Sequence, residues 1–326
     1  MNVGLGRSVS GHSAAISQRH QKKRERSDSA LEESPPRVCR WLSQPKDSAR
    51  EFRAKGSVNV EPQCLLYVQQ RECAATTPAD KSVGVLGSDD ATTCHLVVLR
   101  HTGSGATCLA HCDGSSTWSE VSLIVKAVND LSRDANEGRL ELHLIGGFDD
   151  DRKLSQQLSL NLLAAFQKQK EDIHLVTCCI TELNDVVIDG VHRPIVYGIG
   201  VNVKTGDVFP ASFPCREPAE DLRSARTFTG GQMIEIYDSS KEIVKISPCN
   251  WSPSSDFAFW LAQDDDTILQ FLSTSPLAEP PHFVKHIKST IKFLLEHPSA
   301  DSLFPGGQPQ LFHRTEKGDW EKVAQR

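Results

Sequence analysis

The most constraining stretch of this chain is residues 86–114, Leu-Gly-Ser-Asp-Asp-Ala-Thr-Thr-Cys-His-Leu-Val-Val-Leu-Arg-His-Thr-Gly-Ser-Gly-Ala-Thr-Cys-Leu-Ala-His-Cys-Asp-Gly. A polar loop leads into an apolar run, His95 to Leu99; a glycine turn follows, and the chain returns through Thr107 to His111. Such a pattern predicts an antiparallel hairpin, and a hairpin fixes which residues meet. With the turn centred between Thr102 and Gly103, Cys94 and His111 fall opposite one another on one face. Their Cβ atoms would then be about 4.5 to 5.5 Å apart.

A thiol facing an imidazole is the arrangement of a nucleophile and its base. A protonated imidazole there would favour the thiolate, and its proton could later leave with an amine. The competing reading of Cys94 is a small buried hydrophobe, and of His111 a core or solvated histidine. His95 should point to the opposite face, and His101 lies in the turn. Cys94, Cys108, His111 and Cys112 are close in sequence, but the chain has no C-x-x-C, and neighbours His111 and Cys112 alternate across a strand, so no metal site is expected. Gly103-Ser104-Gly105 lacks the Lys-Ser/Thr of a phosphate loop and reads as a turn.

Around the hairpin, strands are expected at Leu65 to Val68, Val83 to Leu86, Leu140 to Ile145, Ile173 to Thr181 and Ile195 to Val203. Helical spacing is carried by Val121, Ile124, Val125, Val128 and Leu131, with Ser119 as the cap. It recurs in Leu154, Leu158, Leu162, Ala165 and Phe166, and again in Phe283, Ile287, Ile291, Leu294 and Leu295 before Pro298. Strands joined by tight turns outnumber helical crossovers, which predicts an α+β fold of layered, largely antiparallel or mixed sheets with helices packed outside. Residues 1–48 are polar and carry Pro35-Pro36 and the basic run Lys22-Lys23-Arg24-Glu25-Arg26; they read as a disordered leader, leaving 49–326 as one catalytic domain. A nuclear address is the alternative use of the basic run.

The 36 basic and 42 acidic residues are interspersed, giving a net charge of -6, so neither nucleic acid nor an anionic membrane is the expected partner. No apolar run approaches the roughly 20 residues of a membrane span, and the first 30 residues hold no apolar signal core. A cytoplasmic protein, with a nuclear location also open, is expected. The ten cysteines are then free thiols.

On these residues, Leu86 to Gly114 resembles the catalytic segment of the N-terminal asparagine amidohydrolases. The likeness extends from Leu65-Leu-Tyr-Val-Gln-Gln-Arg71 through Gly146-Gly-Phe148, Asp172-Ile-His-Leu-Val-Thr177, Thr181-Glu-Leu-Asn-Asp185 and Leu272-Ser-Thr-Ser-Pro-Leu-Ala-Glu-Pro-Pro-His-Phe283 to Trp320-Glu-Lys322. More distantly, the segment is similar to chemoreceptor and toxin deamidases that use a Cys-His pair on an αββα scaffold. The resemblance implies loss of ammonia from the side chain of an N-terminal asparagine, with Cys94 as nucleophile and His111 as base. The aspartate left behind would feed the N-degron pathway. It implies no cofactor and proteins or peptides beginning with asparagine as partners; separately, a monomer is expected. The leader does not share the likeness.

For the tetrahedral oxyanion, backbone amides near Cys94, the hydroxyls of Ser88 or Thr93, and Gly146-Gly147 are the candidate donors. For the substrate α-ammonium, Asp89 or Asp90 is the expected partner, with Glu279 in reserve; Asn184 and Asp185 read as a turn. Rival functions are a non-catalytic adaptor for degradation substrates, and a cysteine peptidase or glutamine deamidase. Preferential labelling of Cys94 by a thiol probe would separate enzyme from adaptor.

Overall fold

The computed structural model describes residues 45–135 and 137–324. A six-stranded sheet has the order β13 (Ile234–Glu235), β3 (Glu72–Thr76), β6 (Thr107–Cys112), β5 (His95–His101), β7 (Leu140–Gly146), β8 (Ile173–Ile180). A five-stranded sheet has the order β1 (Val58–Asn59), β12 (Val208–Ser212), β11 (Ile199–Asn202), β4 (Val85–Ser88), β2 (Leu65–Tyr67). Strands β9 (Asp185–Ile188) and β10 (Val191–Pro194) form a separate hairpin. Near the C-terminus β14 (Tyr237–Asp238), β15 (Ile243–Ile246), β16 (Gln310–Arg314) and β17 (Trp320–Lys322) make a small antiparallel sheet. The pairing is mixed: β3, β6, β5 and β7 run antiparallel, whereas β7–β8 and β2–β4 are parallel. The α+β expectation holds.

Alternation along the hairpin divides the molecule into layers. Val97, Leu99, Cys108, Ala110 and Cys112 face α2 (Thr117–Leu131) and α3 (Leu154–Gln167), which cover one side of the six-stranded sheet with Val121, Ile124, Val128, Leu158, Leu162 and Phe166. Leu96, Val98 and Leu109 face the other way, into a core shared with Leu66, Leu86, Ile199 and Val201 of the five-stranded sheet. Ala49 and Phe52 of α1 (Pro45–Ala54) close that core at one side, and Leu222 and Ala225 of α4 (Glu220–Phe228) and Leu294 of α7 (Phe283–Glu296) at another. Between α4 and α7 lie α5 (Ser255–Leu261) and α6 (Asp265–Leu272). No helix among the described residues is long and apolar enough to cross a membrane.

Three expectations shift. The cap of α2 is Ser116 rather than Ser119, whose hydroxyl instead donates to the Ser116 carbonyl at 2.9 Å. The strand expected over 195–203 narrows to β11, because the segment before it pairs with a side chain. The buried Asn184 accepts from Val196 N–H at 2.9 Å and donates to the Val196 carbonyl at 3.1 Å, standing in for a neighbouring strand. Of the expected leader, residues 1–44, including the basic run, lie outside the described residues, and 45–48 open α1.

Candidate active site

The hairpin register differs from expectation by one position of the turn. Its tip centres between Gly103 and Ser104, closed by Gly105 N–H donating to the His101 carbonyl at 2.8 Å, and Gly105 adopts the positive φ that this geometry requires. His111 therefore pairs with Leu96, not Cys94. Moving the turn centre by one residue moves each partner by two, and a shift of two preserves the face. Cys94, just before β5, still packs against the inter-sheet core that Leu96 and Leu109 enter, on the His111 side of the sheet.

The backbone of Cys94 is fixed from the far side. Gly147 N–H donates to the Cys94 carbonyl at 2.9 Å, and a Cβ on Gly146 would lie 2.5 Å from that oxygen. Only glycine lets the end of β7 come so close. Asn184 then holds the Gly147 carbonyl at 2.8 Å, joining 184, 147 and 94 in one hydrogen-bonded chain. Gly147 N–H is thus spent on positioning and is not an oxyanion donor, and Asn184 does more than turn the chain.

His111 is buried. Its Nδ1 lies 2.8 Å from Ser88 Oγ at the end of β4, while Nε2 is buried without a partner among the described residues. Burial lowers its pKa to about 4, and the same cause pushes the Cys94 thiol well above its usual value, with Asp113 and Glu279 adding to the rise. Both shifts disfavour the charged forms, so burial works against a thiolate beside a protonated imidazole. Of the alternative histidines, His95 turns to the helix side and meets Ser159 Oγ at 2.7 Å, and His101 is bound to Ser104 in the hairpin tip. Cys108 and Cys112 sit in the helix-side layer, on the face opposite the core that Cys94 packs against. Among the described residues no group of three or more His, Cys, Asp or Glu could hold a metal.

The other sequence candidates separate. Ser88, expected as an oxyanion donor, is committed to His111. Thr93 Oγ1 lies 3.1 Å from Thr274 Oγ1, tying the loop before Cys94 to the segment 273–282. Asp89 is filled by protein donors: Tyr67 O–H at 2.6 Å, Phe213 N–H at 3.0 Å and Arg216 Nη2 at 3.0 Å. Asp90, at φ +57, takes Arg216 at 2.6 Å and His282 at 2.8 Å on one oxygen. Arg216, Tyr67 and His282 were not read from the sequence as site residues; nothing local marks a partner so far along the chain. Asp113 was also missed, although it stands directly after Cys112. It accepts from Arg71 Nε at 2.7 Å and Gln70 Nε2 at 3.0 Å.

A thiol, an imidazole with a free buried nitrogen, and a hydroxyl orienting that imidazole can together perform acyl transfer. Residues 55–322 match the family described as protein N-terminal asparagine amidohydrolase. Proteins of that name from Mus musculus and Homo sapiens are each 56% identical over 280 residues, covering 86% of this chain and 90% of the relative. The Arabidopsis thaliana protein of that name is 32% identical over 287 residues, covering 79% of this chain and 80% of its own length.

Proposed function

Because this chain belongs to the protein N-terminal asparagine amidohydrolase family, we propose that it converts N-terminal asparagine of proteins and peptides to aspartate, with Cys94, His111 and Ser88 as its working groups. The observation that carries this reading is the buried imidazole. Ser88 engages Nδ1 of His111 and leaves Nε2 unpartnered on the sheet face that Cys94 shares. With Nδ1–H donating to Ser88 Oγ, Nε2 holds the lone pair that a general base needs.

In the first half-reaction His111 Nε2 takes the Cys94 proton as sulfur attacks the carboxamide carbon. The imidazolium then protonates the departing nitrogen, the C–N bond breaks, and ammonia leaves a thioester. In the second, His111 takes a proton from water as the water oxygen attacks the thioester. The C–S bond breaks, and the proton returns to sulfur. One water is consumed and one carboxamide becomes a carboxylate plus ammonium. Both stages run through neutral reactants, in keeping with the neutral pair favoured by burial. The oxyanion is met by backbone amides of the loop entering β5. The resulting N-terminal aspartate marks the product for N-degron-dependent degradation.

The test is ammonia release from matched peptides beginning Asn or Gln, carrying internal Asn, or bearing N-acetyl-Asn. The free N-terminal Asn peptide should react far faster than the others. One additional methylene in Gln moves the carbon by about 1 Å, a misplacement that can cost roughly a hundredfold. Equal rates on free and acetylated peptides would exclude an N-terminal enzyme.

A further inference from the structure

N-terminal asparagine carries its α-ammonium three bonds from the carboxamide carbon, so a site that rejects internal asparagine must hold a cation close to Cys94. Five carboxylates come into question, and their partners sort them. Asp89 is saturated by Tyr67, Phe213 and Arg216. Asp90 is neutralised by Arg216 and His282. Asp113 is paired with Arg71 and further bonded by Gln70 and the Ser115 amide. A guanidinium already in place leaves little field for a second cation. Glu120 is free of cations, but it is 1% exposed in the first turn of α2, and a peptide running out to solvent cannot bring its terminus there.

Glu279 differs from all four. It makes no ion pair among the described residues; its carboxylate accepts a hydrogen bond from the Ser273 hydroxyl. It is only partly buried, and its segment is held over the nucleophile loop by three ties: Thr274 to Thr93 at 3.1 Å, the Ala278 carbonyl to Tyr197 O–H at 2.9 Å, and His282 to Asp90 at 2.8 Å. On the Cys94 side of the sheet, His111 Nε2 is buried without a hydrogen-bond partner among the described residues, as is Glu120 Oε2 in α2.

Resting on the deamidation reading above, we propose that Glu279 is the receptor for the substrate α-ammonium, in place of Asp89 and Asp90. A carboxylate withdrawn from water and unpaired with a cation is stabilised when an ammonium arrives, and the α-ammonium supplies the missing partner. Burial raises the Glu279 pKa to about 7, with the Ser273 hydroxyl opposing the rise and Asp90 adding to it. The ties at Thr274, Ala278 and His282 then set the distance between the ammonium and the carboxamide carbon. Glutamine, with the same ammonium but a longer side chain, is misaligned rather than unbound.

The experiment compares wild type with Glu279→Gln, Glu279→Asp, Asp90→Asn and Glu120→Gln on free and N-acetylated Asn peptides, recording kcat and KM separately. Alkylation of Cys94 by iodoacetamide serves as a check on the nucleophile. Glu279→Gln should raise KM for the free-amine peptide about tenfold or more, as expected for loss of a charge-assisted contact, and narrow its advantage over the acetylated peptide. Cys94 should still alkylate, and the free-amine peptide should no longer protect it. Glu279→Asp keeps the charge and should fall between the two, giving a result even if the glutamine variant is poorly folded. An unchanged KM in both Glu279 variants, or a larger rise in Asp90→Asn or Glu120→Gln, would overturn the assignment while leaving the chemistry intact. Ammonia release by Cys94→Ser would instead remove the deamidation reading on which it rests.

Discussion

His111 Nδ1 and Ser88 Oγ lie 2.8 Å apart, and they belong to different sheets: His111 to β6 of the six-stranded sheet, Ser88 to the end of β4 in the five-stranded one. The imidazole is therefore oriented only when both sheets have packed. Ser88→Ala should lower kcat by about ten- to a hundredfold with little change in KM, because it removes orientation and leaves the base in place. His111→Ala should cost more, about two to four orders of magnitude. Steady-state kinetics on one Asn peptide distinguishes the two, and equal losses would mean that Ser88 itself takes part in proton transfer.

Cys94→Ser should abolish ammonia release without loss of folded protein, since oxygen is a far poorer nucleophile at neutral pH and nearly the same size. Cys108→Ser and Cys112→Ser, in the helix-side core, should leave kcat within about twofold and instead lower the melting temperature. Inactivation by either of the latter would contradict the division of faces by the hairpin.

The pH profile should place its acidic limb near 7. A carboxyl raised to about 7 is neutral below that pH and cannot hold an ammonium, so kcat/KM for the free-amine peptide should fall about tenfold per unit below it. The substrate amine, with a pKa of about 7.7 to 8.0, loses its charge on the alkaline side, giving a bell. Glu279→Gln should flatten the acidic limb, whereas Glu120→Gln, whose carboxyl is also raised to about 7 by burial, should not. A wild-type limb near 4 would point to His111 as the only titrating group.

Gly146→Ala should damage the site rather than merely loosen the fold. Its φ is +132, and the added methyl would meet the Cys94 carbonyl oxygen at 2.5 Å and His95 Cα at 3.0 Å, so the Cys94 backbone must move. A loss of about 1 to 3 kcal/mol in stability is expected from the strain, with a fall in kcat of at least tenfold. Denaturant melts and kinetics on the same preparation would show whether the two losses occur together.

Arg223 and Glu72 form an ion pair with both side chains fully buried. Arg223 Nη2 reaches the carboxylate at 2.6 Å and also the Tyr67 carbonyl at 2.6 Å. Arg223→Met leaves Glu72 as an unpaired buried charge and should cost about 3 to 5 kcal/mol. The double variant with Glu72→Met should recover part of this loss in thermal denaturation; no recovery would mean that the contacts of Arg223 to the Arg216, Pro218 and Tyr67 carbonyls dominate.

Several features were legible from local sequence because they depend on local physics. The period-two runs around Gly103 and Gly105 specified a hairpin, and the helical spacing of Val121, Ile124 and Val128 specified the helix that packs on it. The sharing of a face by Cys94 and His111 survived an error in the turn, since parity along a strand tolerates an even shift. The direct opposition of the two residues did not, because the turn centre depends on how His101, Ser104 and Gly105 bond within the tip. Asp89 and Asp90 were read as open acids for a related reason: two adjacent carboxylates in a loop carry no sign that Arg216 will fold onto them.

The sequence by itself determined the hairpin that carries Cys94 and His111, the strand-rich α+β fold and the family, through residues close together along the chain. Only the tertiary structure decided that Ser88 bonds His111, that Asn184 and Gly147 fix the Cys94 backbone, and that Asp89 and Asp90 are taken by Arg216 while Glu279 makes no ion pair among the described residues. Each of these joins segments tens to hundreds of residues apart, and whether a side chain is spent or available depends on what packing brings beside it. Hydrogen-bond satisfaction and desolvation act over a few ångströms in space, regardless of separation along the chain.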